Sequence, residues 1–281
     1  MSTHRMTREQ LVDFRAYLRE RERQGSTIEK YLHDVGELCD WLKDEALTKE
    51  AASRWKESLV AEGYAPATVN GKLAAVNCFL EFAGWQECKV RPLRIQRQIF
   101  RSASRELTKA EYERLVQTAY DLKLERLALV LETICALGLR VSELRFITVE
   151  AAQNGRTEIA LKGKIRTVML PGKLCRKLKK YAKEQKIVSG ELFLTRNGKS
   201  LSRKQIWAEM KSLCRKAGVD AAKVFPHNLR HLFARCFYRA CRDVVRLADV
   251  LGHSRIETTR IYLISSGIEH AKTLESLQLI I

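Results

Sequence analysis

Six polar residues in the second half of the chain carry the side chains that a phosphodiester-cleaving site requires. They are two arginines, a lysine, two histidines and a tyrosine: Arg140, Lys162, His227, Arg230, His253 and Tyr262. Cationic and hydrogen-bonding side chains can hold and polarise one phosphate, and a tyrosine hydroxyl can attack it. Because such cations can replace the charge of a metal ion, the set predicts phosphoryl chemistry without a metal or another cofactor.

Three of these residues belong to pairs with i, i+3 spacing. Arg140 and Glu143 would share a helical face, where a local ion pair is the simpler interpretation and an anion bound by Arg140 is the alternative. His227 and Arg230 follow Pro226, a residue common at the start of a helix, and helix N-termini favour phosphate. Each pair alone is weak support for a site.

The remaining three residues also have ordinary structural interpretations. His253 follows Gly252, which predicts the end of a helix, and Tyr262 is expected on the next short helix. A tyrosine between apolar neighbours is more often a core residue with a satisfied hydroxyl, and Lys162 in a hairpin turn is by default exposed to solvent.

The periodicity around these positions predicts a mainly α-helical protein with one small β-hairpin. Residues 1–100 contain four helical runs, with capping-box spacing at Thr7 with Gln10 and at Ser26 with Glu29. The third run follows Thr48 and the fourth begins near Thr68. No residue in these runs suggests chemistry, so a helical bundle with a packing role explains them.

The second half of the chain begins with another capping box and contains the hairpin. Thr108 with Glu111 precedes a helix, and the apolar run LERLALVLETICALGL should be buried. TEIAL and RTVMLP flank a tight turn at residues 162–164. Further helices are expected at about 172–187, 202–217, 228–241, 243–251 and 255–264.

Positive charge is concentrated after residue 100. The net charge is +18, yet residues 1–100 carry 16 Lys and Arg against 15 Asp and Glu, whereas residues 101–281 carry 35 against 18. A surplus confined to one part of a protein favours a polyanionic partner, here nucleic acid, over a merely solvated surface. Between the two parts lies a basic segment that could follow a phosphate backbone, with arginines at Arg91, Arg94, Arg97, Arg101 and Arg105.

The cysteines and the apolar runs indicate a cytoplasmic protein. None of the eight cysteines forms a CxxC pair or a cluster with zinc-ligand spacing, and several lie on apolar helical faces, so we interpret them as reduced packing residues. No stretch approaches the roughly 18 apolar residues of a membrane span, and the N-terminus lacks the apolar core of a secretory signal.

Together, four phrases of the second half resemble the tyrosine recombinase family, also called phage-type integrases, including its two-domain Xer-like members. LGLRVSEL (137–144) resembles the first arginine box, LKGK (161–164) the hairpin lysine, HNLRH (227–231) the HxxR box, and LGHSRIETTRIY (251–262) the closing histidine and tyrosine box. The phrases depart from the family pattern at Leu137, where a small polar residue is usual, and at Leu263 and Ile264. These departures affect the subfamily and leave every catalytic group in place.

The resemblance implies a domain plan and a set of partners. It implies a SAM-like four-helix core-binding domain over residues 1–88, a basic linker over 89–105, and an α+β catalytic domain over 106–281 that ends in an apolar tail. The implied partner is double-stranded DNA, which a homo-tetramer would hold as two duplexes. Without DNA the chain would be a monomer. An accessory protein or partner recombinase would be compatible with this plan.

The resemblance also implies a role for each site residue. Tyr262 would be the nucleophile that forms a 3′-phosphotyrosyl bond, and Arg140 and Arg230 would bind the non-bridging oxygens. Lys162 would protonate the leaving oxygen, His227 would assist the tyrosine, His253 would bind a phosphate oxygen, and Glu143 would orient a neighbour. The competing interpretations are a type IB topoisomerase, a DNA-binding protein with a degenerate site, and a metal-dependent nuclease, which no acidic cluster supports.

Overall fold

The computed structural model describes residues 3–43, 45–95, 105–161, 164–262 and 275–277. The chain divides into two compact units, Met1–Arg97 and Gln98–Ile281. The described helices, α1 to α12 in chain order, are Arg8–Glu20, Gly25–Leu42, Lys49–Ala61, Pro66–Phe82, Lys109–Asp121, Glu125–Leu137, Val149–Asn154, Gly172–Glu184, Arg203–Ala217, Pro226–Cys241, Val244–Leu251 and Ile256–Arg260. Short 3-10 helices cover Gln86–Cys88, Val141–Phe146 and Ala221–Lys223.

The first unit is the predicted bundle of four helices, α1 to α4. Its core is apolar and aromatic, with the Phe14 and Phe79 rings packed edge to face at 5.3 Å between centroids. The capping box at Thr7 and Gln10 is confirmed. The one predicted at Ser26 and Glu29 is wrong: the helix begins earlier, at Gly25, because the backbone N–H of Ile28 already donates to the Gln24 carbonyl.

The segment after α4 is anchored to the first unit as far as it is described. The Asn77 side chain both donates to and accepts from the backbone of Val90, and the Asn70 side chain does the same with Leu93. Arg91 and Arg94 are exposed on this segment. The first part of the predicted basic linker is therefore fixed by two asparagines, while Arg97 and Arg101 lie outside the described residues.

The second unit is built around α6, the apolar run expected to be buried. Nine of its thirteen residues are buried, and α10 and α5 pack against it. The capping box at Thr108 and Glu111 is confirmed. A hairpin of β1 (Arg156–Leu161) and β2 (Lys164–Met169) pairs antiparallel, with Arg166 opposite Ile159, as the sequence predicted. Among the described residues no helix is long and apolar enough to cross a membrane.

Candidate phosphate-binding site

The end of α6 sets the position of Arg140. The helix stops at Gly138, whose φ is +61°, and the Phe233 ring lies 2.4 Å from where a Cβ would be, so both the backbone and the packing require glycine. Arg140 then precedes the 3-10 helix Val141–Phe146 instead of sharing an α-helical face with Glu143. The Glu143 carboxylate accepts the backbone N–H of Arg140 at 2.7 Å, which fixes this turn.

A buried carboxylate lies between two arginines. Glu143 is 1% exposed and accepts hydrogen bonds from Arg140 Nη1 at 2.9 Å and from Arg166 Nη1 and Nη2 at 3.2 and 3.0 Å. A buried carboxylate needs such partners to offset its lost hydration. The Arg140 side chain is 41% exposed, against 15% for Arg166. Arg140 therefore keeps hydrogen-bond donors directed to solvent, whereas Arg166 is less exposed to solvent.

The carbonyl of Leu251 is the second point where the guanidinium groups meet. It accepts from Arg230 Nη2 at 2.7 Å, from Arg166 Nη1 at 2.9 Å and, at a longer 3.5 Å, from Arg140 Nη1. Leu251 is the last residue of α11, where unpaired carbonyls and the helix dipole favour cations. One helix end thus brings together arginines from three separate parts of the sequence.

Arg230 lies deepest in the site. It is 1% exposed, and its Nη1 also donates to the Gly138 carbonyl at 2.6 Å, while the Tyr262 phenol lies close enough to favour the charged form of Arg230. Burial, and then the charge of Arg140, lower the pKa of Arg230 to about 10. The group therefore remains protonated at neutral pH and contributes a full positive charge.

His253 is held as a neutral ring in one tautomer. Arg230 Nη2 lies 2.9 Å from His253 Nε2, and because arginine can only donate, Nε2 is the acceptor. The proton is then on Nδ1, which donates to the buried Thr259 hydroxyl at 2.8 Å. Burial and the neighbouring Arg230 charge lower the pKa of His253 to about 4, so the ring is uncharged at neutral pH.

Tyr262 is buried among three histidine rings. Its ring centroid lies 4.4 Å from that of His231, 5.7 Å from that of His253, nearly parallel, and 6.2 Å from that of His227. The residue lies in a turn beyond the end of α12, not on the helix as expected, because its N–H bonds to the Thr259 carbonyl three residues back. Its hydroxyl nevertheless lies close to the Arg230 guanidinium of the same chain.

An open cleft of about 940 Å³ lies over this cluster. Arg140, Arg166, His227, Arg230 and His253 line it. Four guanidinium groups and two carboxylates in its lining leave a net charge of about +2 before the histidines are counted, and the pKa of His253 keeps that ring neutral. Five of the six predicted residues thus come together, and Lys162 lies outside the described residues. The arrangement can bind an anion and place a hydroxyl beside it.

Sequence reasoning missed two residues of this cluster, Arg166 and His231. Side chains alternate between the two faces of a strand, so Arg166 lies on the same face as Val168 and Leu170, which are both buried. A charged residue on a buried face would have been the sequence signal for Arg166. The opposite face also carries apolar residues, Ile165 and Met169, so the pattern does not say which face is buried. His231 had a signal in the fourth-residue spacing from His227, which places both rings on one helix face.

We expect Gly252→Ala to weaken the site through Arg166. Gly252 has a φ of +66°, and a Cβ there would lie 2.4 Å from Arg166 Nη1 and 2.8 Å from its Cδ. The variant should lose about 2–3 kcal/mol of unfolding free energy, from left-handed strain and displaced Arg166 hydrogen bonds. Gly218→Ala is the matched control, since it has a φ of +60° and nothing within 4 Å. Urea unfolding measures both, and equal losses would contradict the clash.

Two family models match the chain. The model described as the phage integrase family matches residues 105–267, and the model described as the phage integrase N-terminal SAM-like domain matches residues 11–87. The first match includes every residue of the cluster around Arg230. The second includes α2, α3, α4 and all but the first three residues of α1.

Whole-chain comparisons give the same result. Tyrosine recombinase XerA of Pyrococcus furiosus is 29% identical over 96% of this chain and 96% of its own. A lambda integrase dimer bound to a COC′ core site shares the fold with a TM-score of 0.72 at 17% identity, over 93% of this chain and 95% of that one. The XerH recombinase bound to difH substrate does so with a TM-score of 0.69 at 20% identity, over 95% and 84%.

Proposed function

The chain belongs to the phage integrase family of tyrosine-type site-specific recombinases, and from that premise we propose that it cleaves and rejoins DNA strands through a bond between Tyr262 and a 3′-phosphate. The observation that carries the proposal is the position of the Tyr262 side chain beside the Arg230 guanidinium, which lines one cleft together with Arg140 and His253. A nucleophile and the cations that would bind its target are thereby adjacent.

The charges of the cluster suit the transition state. A phosphodiester carries one negative charge, and a second develops on its non-bridging oxygens as the phosphorus becomes five-coordinate. Arg140 would bind one oxygen through its solvent-facing donors, and Arg230 the other. The net charge of about +2 in the cleft matches the two charges at that stage.

Phosphate binding would change the partners of Arg230 and His253. An oxygen that takes an Arg230 Nη2 hydrogen replaces His253 Nε2 as its acceptor, so Nε2 becomes free. The negative charge of the phosphate favours a protonated imidazole, whose Nε2–H can then donate to the same phosphate while Thr259 still holds Nδ1.

The reaction breaks one bond and forms another of the same kind. The Tyr262 oxygen attacks phosphorus with its proton going to His227, and the 5′-oxygen leaves with a proton from Lys162. The phosphotyrosyl bond stores the energy of the broken linkage, so a 5′-hydroxyl can reverse the step without ATP or metal. A strand exchange between two duplexes would need four copies of the chain, and the basic second unit, Arg91 and Arg94 would hold the DNA backbone.

A covalent-trapping experiment tests the proposal. The purified chain is incubated in EDTA, without ATP, with a plasmid that carries the flanking genomic region, and protein-linked ends are mapped. We expect a tyrosine-linked 3′ end at a defined site. Absence of any adduct there would favour a degenerate DNA-binding protein, and a requirement for divalent metal would favour a nuclease. Relaxation of supercoils by the monomer, without pairing of sites, would favour the topoisomerase alternative.

A further inference from the structure

Arg166 has no role in the mechanism so far, although it lies at the centre of the cluster. Both of its Nη atoms are engaged: Nη1 with Glu143 and the Leu251 carbonyl, and Nη2 with Glu143. Its side chain is 15% exposed. These bonds join Arg166 to Glu143 and to the last residue of α11, so Arg166 is arranged to hold those two groups in place.

We propose that Arg166 is a positioning residue that keeps Arg140 available for the scissile phosphate by neutralising Glu143. The inference rests on the proposed function and adds a residue to it. Glu143 carries one negative charge. The Arg166 side chain donates hydrogen bonds to both of its carboxylate oxygens, whereas the Arg140 side chain donates only to Oε1. Without Arg166 the buried carboxylate would keep only Arg140 and the more distant Arg230, whose Nη1 lies 3.9 Å from Oε2, and it would draw Arg140 inward, because a poorly compensated buried charge is costly.

A second part of the role concerns the end of α11. Arg166 and Arg230 donate to the same Leu251 carbonyl, and His253 lies two residues beyond it. The hairpin is thereby tied to the segment that carries His253 and Thr259. Gly252 has no side chain at the point where Arg166 passes, so the close approach is built into the backbone. Loss of Arg166 should disturb the geometry of Arg140 and of the His253 segment together.

The experiment compares the cleavage rate at saturating DNA with the affinity for DNA. We expect Arg166→Met to lower the rate constant for adduct formation about 10–100-fold, as loss of an outer partner typically does. Its Kd for the duplex should change by less than about threefold, because both Nη atoms of Arg166 are already bonded within the protein. Arg166→Lys, which retains a charge and one contact, should give an intermediate rate.

Glu143→Gln combined with Arg166→Met separates positioning from general loss of structure. With the carboxylate neutralised, nothing draws Arg140 inward, so the double variant should cleave faster than Arg166→Met alone. Arg126→Met is the matched control, because Arg126 also binds a carboxylate, Glu209, and a carbonyl, Leu194, away from the cleft. It should cleave at the wild-type rate.

The outcomes distinguish this inference from the proposed function. Absence of adduct from the wild-type chain at a mapped site would overturn the proposed function. A normal wild-type rate with Arg166→Met no slower than Arg126→Met would overturn the role of Arg166 alone. A double variant slower than Arg166→Met would also overturn it, since it would show that Glu143 and Arg166 act independently. If Arg166→Met does not fold, Arg166→Lys alone or with Glu143→Gln gives the same comparison.

Discussion

Tyr262→Phe will bind its DNA site and form no covalent adduct. The substitution removes only the hydroxyl, which is both the proposed nucleophile and a partner of Arg230. The ring can stay packed against His231 and His253, so the fold should lose only about 1 kcal/mol, the usual cost of one hydrogen bond. A denaturing gel with a nicked, labelled site measures the adduct, and a mobility shift measures binding.

Tyr238→Phe provides the control for that experiment. Tyr238 lies on α10 and packs in the same apolar cluster as Tyr262. Its substitution by phenylalanine also removes one hydroxyl group. It should form adduct at the wild-type rate. Adduct formation by Tyr262→Phe would show that another residue attacks the phosphate. Loss of DNA binding by that variant would mean that the Tyr262 hydroxyl supports the binding surface instead of reacting.

Most of the fold follows from local signals in the sequence. The capping boxes at Thr7 and Thr108 and the apolar run of α6 mark their helices, because cap hydrogen bonds and burial are decided by neighbours in the sequence. The predictions differ from the structure at two helix ends. Ser26 is drawn into the first turn of α2, and Tyr262 falls in a turn just past α12. Such ends depend on a single backbone hydrogen bond that residue types do not determine.

The sequence predicted the residues proposed to contact the phosphate, together with Glu143 as a supporting residue, but not the contacts that hold them in place. The phrases around Arg140, Arg230 and His253 indicate phosphate binding because each places an arginine or a histidine near a helix boundary. The shared Leu251 carbonyl has no sequence signal, since every residue has a carbonyl and only the fold selects this one. Arg166 was hidden for the same reason: its partners are 23 and 85 residues away.

Arg140→Lys should bind DNA and cleave it about 100–1000-fold more slowly. Lysine keeps the charge, so the affinity, which depends on phosphate neutralisation, should change little. It cannot reproduce a planar fork that donates to Glu143 Oε1 and to a phosphate oxygen at once. Losing one aimed donor costs about 3–4 kcal/mol in comparable sites, which corresponds to this range of rates. Single-turnover cleavage of the nicked site measures the effect.

Arg145→Lys is the control on the same 3-10 turn, where Arg145 is exposed and rests on the Phe146 ring away from the cleft. It should cleave normally. Because the Arg140 side chain is 41% exposed, its substitution should leave the unfolding free energy nearly unchanged, and a slow rate can be assigned to the phosphate. Near-normal cleavage by Arg140→Lys would mean that charge alone suffices there. Arg230, with its carbonyl and imidazole partners, would then be the guanidinium whose geometry orients the phosphate.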